Sequence, residues 1–418
     1  MTGATAETTP TERAAALRDG GDHAVLEAVA RIAPELEARA AENDRLGVFP
    51  TESIDLIWSA GLGSLTVPRD AGGVGAELTT VARAVEALAR ADAAATLILV
   101  WTLLFYRLVN GPESPWPQEL RDLLNESVAH GPALANFLNV EPQLGSSSRG
   151  GLVQTTAARI ELPDGSPGWR VNGRKIYSTG SNGLRWLVAT AHTEDDPEGL
   201  RVGQFLIPGD TPGIEVVETW DHLGMRATAS NDVVFTDVDI PLGHAVGLTV
   251  YDEGAPNGLK GDASGTLASV IVLVIAIYQG VAKASRDALV AFLRDRKPAN
   301  LGASLATLPR FQEAVGDIEA LLYANDRLIY DLTGRVDRAA AGTSPPPTLG
   351  EVGLVKVVVS RNVLATTERA LALAGNPGLT RSNPLERHYR DALCSRIHTP
   401  QDDMVLLTTG KAALATDA

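Results

Sequence analysis

The sequence runs to 418 residues, 44% hydrophobic and 21% charged, which is chain enough for one large domain or two to three smaller ones. A formal net charge of −15 argues against a nucleic-acid partner, and a single cysteine, Cys394, excludes an internal disulfide and cysteine-rich metal sites while fitting a reducing compartment. The N-terminus lacks a basic start followed by an apolar core, and the longest apolar run, Ala268 to Tyr278, is too short for a membrane span, so a cytoplasmic globular protein is expected.

Residues 1–13 are Thr-rich and polar and read as a disordered tail. Residues 14–131 read as a helical domain. Leu26, Val29, Ile32 and Leu36 recur at helical spacing, a Gly-rich break covers Gly61 to Leu78, helical periodicity resumes over Leu78 to Val109, and a shorter helix covers Gln118 to His130. Residues 132–245 change character. Strand-like stretches such as GWRVNGRKIYSTG, VGQFLIPG and DVVFTDVDIP are punctuated by Gly, Pro, Asn and Asp, a pattern that predicts a compact central β-barrel. Residues 246–418 open on a Gly/Asp/Pro-rich loop and continue as helices over Leu267 to Arg296, Leu308 to Arg338 and Leu349 to Ala374, a C-terminal four-helix bundle of the kind that forms oligomers and houses cofactors. The fold class is therefore mainly α with a central β-barrel.

The chain has no GxGxxG after a strand, no GxxxxGK[ST], no HExxH and no GxSxG. Nothing in it signals a nicotinamide site, a phosphate loop, a metal site or a nucleophile elbow.

Four stretches in order carry a family resemblance: GLGSLTVPRDAGGVGAEL, NVEPQLGSSSRGG, GRKIYSTGSNGLRWLVATAHT and TWDHLGMRATASNDVVFTDVDIP. With the helices on either side, they resemble the acyl-CoA dehydrogenase superfamily over nearly the whole chain from about residue 20. The resemblance implies the fold of that family (helical domain, β-barrel, C-terminal four-helix bundle), a homotetramer or homodimer, and a flavin, FMN or FAD. It places Val140, where the family carries threonine, and Ser146 at the flavin's pyrimidine edge. Tyr177 matches the tryptophan that shields the ring system, and Thr179 matches the hydroxyl near flavin N5. Asn136 approaches flavin or substrate. Arg296 and Gln312 resemble the segment that binds cofactor phosphate from a neighbouring subunit, and Gly375 resembles the Gly-rich turn that passes close to the cofactor.

The family's dehydrogenases take a proton with a glutamate shortly after an Arg-Asp pair. With that pair laid on Arg390-Asp391, the glutamate position is Thr399, and a minority position for the base, on the first helix after the barrel, falls near Val270. Asp402 and Asp403 are the carboxylates that a displaced base would use. His398 stands beside the vacant position, and its spacing from Arg390 resembles the reduced-flavin monooxygenases of this fold, the dibenzothiophene monooxygenase-like group among them. An imidazole there can donate to reactive oxygens or shuttle a proton.

The resemblance then implies a two-component flavin-dependent monooxygenase. It would use reduced flavin and O2 on a small S-, N- or C-centred substrate, with His398 and Thr179 as catalytic residues and a separate flavin reductase as partner. An acyl-CoA dehydrogenase with a displaced base, handing electrons to an electron-transfer flavoprotein, is the alternative, and a catalytically silent flavin-binding scaffold is a third class. His222, His244 and His388 are read as structural, and Trp101, Phe105 and Tyr106 as core or pocket wall.

Overall fold

The computed structural model describes residues 9–146, 151–252 and 263–415. The helix α1 (Pro10–Leu46) starts earlier than the polar composition suggests. Thr9 and Glu12 form a reciprocal capping box, with Thr9 N–H donating to Glu12 Oε2 at 2.7 Å, so residues 10–13 of the expected tail are helical. After α2 (Thr51–Ser59), the periodic stretch read as one helix is two, α3 (Leu78–Ala91) and α4 (Ala93–Val109). Asp92 divides them. Its backbone is extended and its carboxylate accepts from Ala95 N–H at 3.0 Å, so an N-cap interrupts an otherwise continuous apolar pattern. The helix α5 (Gln118–Ser127) ends in a 3₁₀ turn at His130.

The middle of the chain forms an eight-stranded sheet: β1 (Ala135–Leu138), β4 (Thr156–Glu161), β5 (Pro167–Ser178), β6 (Trp186–Glu194), β7 (Arg201–Pro208), β8 (Ile214–Val217), β9 (Asn231–Pro241) and β10 (Ala245–Val250). The order is β10-β7-β6-β4-β5-β9-β8, with β1 lying parallel to β6. The end strands β10 and β8 do not pair with each other, so the closed barrel expected from the strand pattern is an open sheet. Alternation and turn spacing specify strands, whereas closure needs tilt and stagger that bring the two end strands together, and strand pattern alone carries neither. A separate two-stranded ribbon, β2 (Val140–Glu141) and β3 (Gly145–Ser146), leads off β1.

The chain then returns to helix in α6 (Ala263–Asp295), α7 (Pro309–Ala340), α8 (Leu349–Ala374), α9 (Pro384–Leu393) and α10 (Asp402–Leu414). The helix α6 is central to the packing and touches α7, α8 and α9 as well as α3 and α4. By length and composition it could cross a membrane, but 83% of its most apolar window is buried inside the chain, where Ile271, Leu273, Ile275 and Ile277 fill the core. Gly280 lets α3 approach closely, because a Cβ there would collide with the Glu86 carbonyl.

Candidate active site

One cluster of candidate residues lies where β5 ends. Tyr177 takes a left-handed backbone (φ 56), rare for an aromatic residue, and its ring is 54% exposed. Trp220 and His222, from the loop between β8 and β9, stack with ring centroids 3.6 Å apart, and both meet Tyr177 edge-on at 6.3 and 6.0 Å. Trp220 is pinned by its indole N–H, which donates to Met225 O at 2.9 Å. The Nδ1 atom of His222 is buried without a hydrogen-bond partner, and burial pushes that imidazole's pKa down.

Behind the tyrosine the chain turns, and Thr179 is buried at the turn. The Asn136 amide donates to Thr179 O at 3.0 Å, so two residues singled out from sequence are in contact. Thr179 Oγ1 lies 2.9 Å from Ser230 Oγ, which lies 2.8 Å from Thr228 Oγ1, and that hydroxyl donates to Met225 O at 2.9 Å. Each hydroxyl has one proton. With the last donated to a carbonyl, Ser230 donates to Thr228 and Thr179 donates to Ser230. Thr179 is thereby left with lone pairs and no proton to offer a ligand. On the neighbouring ribbon Val140 and Ser146 are register partners, so these two are also brought together; the side chain of Ser146, and Ser147 after it, lie outside the described residues.

A second cluster of candidate residues lies among the helices. His398 occupies the turn between α9 and α10, and its Nε2 lies 2.7 Å from the hydroxyl of Tyr278 on α6. The rings are 5.6 Å apart, and Trp101 of α4 approaches the imidazole at 6.5 Å. Burial, with help from the nearby Lys356 ammonium, pushes the His398 pKa down to about 4, and burial raises that of Tyr278 well above the usual phenol range. A neutral imidazole hydrogen-bonded to a neutral phenol is the resulting state near pH 7. Of the aromatic run on α4, Trp101 alone belongs here: Phe105 packs against Trp116 in the core, and the buried Tyr106 donates to Ala133 O at 3.1 Å.

No carboxylate takes the missing base's place among these residues. Thr399 is exposed, Val270 sits in the apolar helix α6, and Asp403 is exposed. Asp402 is committed elsewhere, 2.9 Å from the buried Lys356 ammonium, at the rim of a cavity of about 480 Å³ lined also by Leu393, Arg396 and Ile397. The Arg390-Asp391 pair is structural. Arg390 grips Asp44 of α1 at 2.6 and 3.0 Å, and Asp391 accepts from Met225 N–H at 2.6 Å, with burial pushing its carboxyl up to about 6. A side chain on Gly224 would strike the Arg390 carbonyl, so the loop carrying Trp220 and His222 is seated directly on α9.

Arg296, Gln312 and Gly375 lie on other elements, just beyond α6, in the first turn of α7 and after α8. Arg296 is exposed just beyond α6, eighteen residues or about 27 Å along the helix axis from Tyr278. Gln312 is also exposed and donates to Ala306 O at 3.0 Å, and Gly375 is exposed at the C-terminus of α8. His244 is fixed by Leu206 O at 3.0 Å, and His388 is a core imidazole whose pKa burial pushes down to about 3. Tyr278, Ser230, Thr228 and Lys356 are the site residues that sequence reasoning missed. Tyr278 had a signal, being a hydroxyl at the end of an otherwise apolar run.

The residues at the end of β5 fit a flat heteroaromatic group with polar edges: a projecting aromatic ring, a hydroxyl acceptor and an unmet imidazole nitrogen converge there. The comparisons agree. Family models described as acyl-CoA dehydrogenase N-terminal, middle and C-terminal domains match residues 22–110, 137–238 and 272–402. The Bacillus subtilis protein YdbM, which carries an acyl-CoA dehydrogenase name, is 33% identical over 382 residues, 91% of this chain and 94% of its own. L-evernosamine nitrososynthase of a Micromonospora species is 29% identical over 405 residues, covering 93% and 89%. Among solved structures, dibenzothiophene monooxygenase TdsC of Paenibacillus sp. A11-2, in complex with FMN and indole, superposes with a TM-score of 0.81 over 94% of this chain and 97% of that one, at 23% identity.

Proposed function

The chain belongs to the acyl-CoA dehydrogenase family, whose members are flavin-dependent, and we propose that it is a monooxygenase using reduced flavin and O2 on a small organic substrate. One observation carries the reading: at both positions matched to a base of this family's dehydrogenases, Thr399 and Val270, there is no carboxylate, and Asp402, close by in sequence, is paired with Lys356. A neutral imidazole, His398, stands there instead. The similarity to a nitrososynthase supports the same choice.

A bound flavin would supply the redox chemistry. Tyr177 would hold the flavin by its ring, and Thr179, whose proton is committed to Ser230, would offer a hydrogen-bond acceptor suited to the N–H of a reduced flavin. Asn136 holds the Thr179 backbone in place. His398, with Trp101 beside it, would hold the reacting oxygen by hydrogen bond, and the apolar residues of α6 would keep water out. Arg296 and Gln312, remote from this cluster in one chain, suit a cofactor phosphate carried by a neighbouring copy. A separate reductase would supply the reduced flavin, in keeping with the lack of a nicotinamide motif in this sequence.

The test is rapid mixing of the anaerobically reduced flavin complex with oxygen. A delay before oxidised-flavin absorbance returns, shortened in His398→Ala, supports an oxygenase. Immediate reoxidation combined with flavin bleaching by acyl-CoA thioesters would instead support the dehydrogenase reading that the name of YdbM suggests.

A further inference from the structure

Tyr278 has a single hydrogen-bond partner among the described residues, His398 Nε2 at 2.7 Å, and its side chain is 1% exposed. The two possible directions of that bond are not equivalent. If imidazole Nε2–H donated, the phenol proton would be left buried with no acceptor, which carries the full desolvation penalty of an unmet donor. If the phenol donates, every proton at the contact is used. The imidazole proton then resides on Nδ1, which, unlike the Nδ1 atoms of His222 and His388, is not a buried atom left without a partner, so that proton is free to meet a ligand or solvent.

We infer that Tyr278 is a positioning residue: by donating to Nε2 it fixes His398 as the Nδ1–H tautomer, so that His398 presents one hydrogen-bond donor to whatever reacts beside it. The chemical role of His398 narrows accordingly. Giving up the Nδ1 proton outright would require a second proton to arrive at Nε2 and leave a buried tyrosinate. His398 therefore stabilises developing negative charge on oxygen by hydrogen bond and does not act as a proton-releasing acid. The packing around it agrees. Trp101 of α4 and Tyr278 of α6 offer neutral rings, and the charged group on α8, Lys356, is occupied by Asp402.

This inference rests on the proposed function only for the use made of the donor; the tautomer itself is a property of the chain without flavin. The experiment is ¹⁵N spectroscopy of histidine-labelled full-length protein, with the His398 resonances assigned by their loss in His398→Gln. The wild type is expected to show a protonated Nδ1 and an unprotonated, hydrogen-bonded Nε2, and Tyr278→Phe, which keeps the ring, is expected to move the population toward Nε2–H. A wild-type His398 carrying its proton on Nε2 overturns the inference and needs no variant to read. An Nδ1–H tautomer that persists unchanged in Tyr278→Phe overturns it as well. If the tautomer behaves as expected while oxygen mixing gives immediate reoxidation, the oxygenase reading fails and the assignment of Tyr278 stands. In the oxygenase, Tyr278→Phe lowers turnover about 10-fold or more and leaves substrate KM near its wild-type value.

Discussion

Lys175 Nζ sits 2.6 Å from Glu141 Oε1, and both side chains are withdrawn from solvent. Two of the motif stretches that mark the family meet at this contact. Thr155 and Gln154 also donate to the carboxylate, and Lys175 reaches Thr190 O at 2.6 Å. Burial works against the Glu141 charge, but Lys175 and these donors hold its pKa below the usual range. Removing one partner of such a pair leaves a buried charge unmet. Lys175→Met is expected to lower unfolding free energy by about 3–5 kcal/mol, and adding Glu141→Gln to recover part of that, as read by urea unfolding. Equal loss in single and double variants would show the pair uncoupled.

The hydroxyl chain from Thr179 through Ser230 to Thr228 predicts a preference between flavin oxidation states. With its proton committed to Ser230, Thr179 can accept from reduced flavin and has nothing to donate to oxidised flavin. Ser230→Ala frees that proton. The ratio of dissociation constants, oxidised over reduced, is expected to fall about 10-fold, the equivalent of one hydrogen bond. Fluorescence titration with oxidised flavin and anaerobic titration with reduced flavin measure it; an unchanged ratio would mean that Ser230 does not direct the Thr179 proton.

Asp402 and Asp403 are adjacent in sequence and should differ sharply. Asp402→Asn strips the buried Lys356 of its partner and is expected to cost about 3 kcal/mol or more, whereas Asp403→Asn stays within about 0.5 kcal/mol. Chemical denaturation distinguishes them. If Asp402→Asn were neutral for stability yet abolished turnover, a base role for Asp402 would have to be reconsidered.

Stability should fall on mild acidification. Burial holds His388 at about 3 and His398 at about 4 in the folded chain, against about 6.5 unfolded. The unfolded state therefore binds more protons as pH drops from 6.5 toward 4, and the stability that both imidazoles contribute above 6.5 is lost. Asp391, raised to about 6, takes its proton more readily when folded and opposes the loss below that pH. At about 1.4 kcal/mol per proton per pH unit, the net loss between pH 6.5 and 5 is roughly 2 kcal/mol. His388→Phe should remove most of it, and a slope unaltered in that variant would count against a neutral buried His388.

Much of this architecture was legible from periodicity. The bounds of α8 matched the apolar repeat, and the motif order identified the family. Asn136 and Thr179 were both singled out and prove to be in contact. Closure of the sheet was not legible, because it depends on where β8 and β10 end relative to each other. The split at Asp92 could have been read from the cap signal of an aspartate before a helical run. Tyr278 escaped notice because a hydroxyl in an apolar helix looks like core until the chain 120 residues later brings His398 to it. The Arg390-Asp391 pair was read only as a landmark, whereas its side chains tie α9 to α1 and to the Met225 loop, a role that no local pattern announces.

The packing of α3 on α6 also bears on how the protein is made. The apolar face of α3 is translated some 170 residues before the helix that covers it, an interval of about 10–35 s at 5–20 residues per second. Throughout that time the emerging N-terminal helices cannot complete their own interior. A ribosome stalled anywhere before α6 would present a sticky nascent chain, so holdase chaperones should engage this protein early in synthesis and release it only once α6 has emerged.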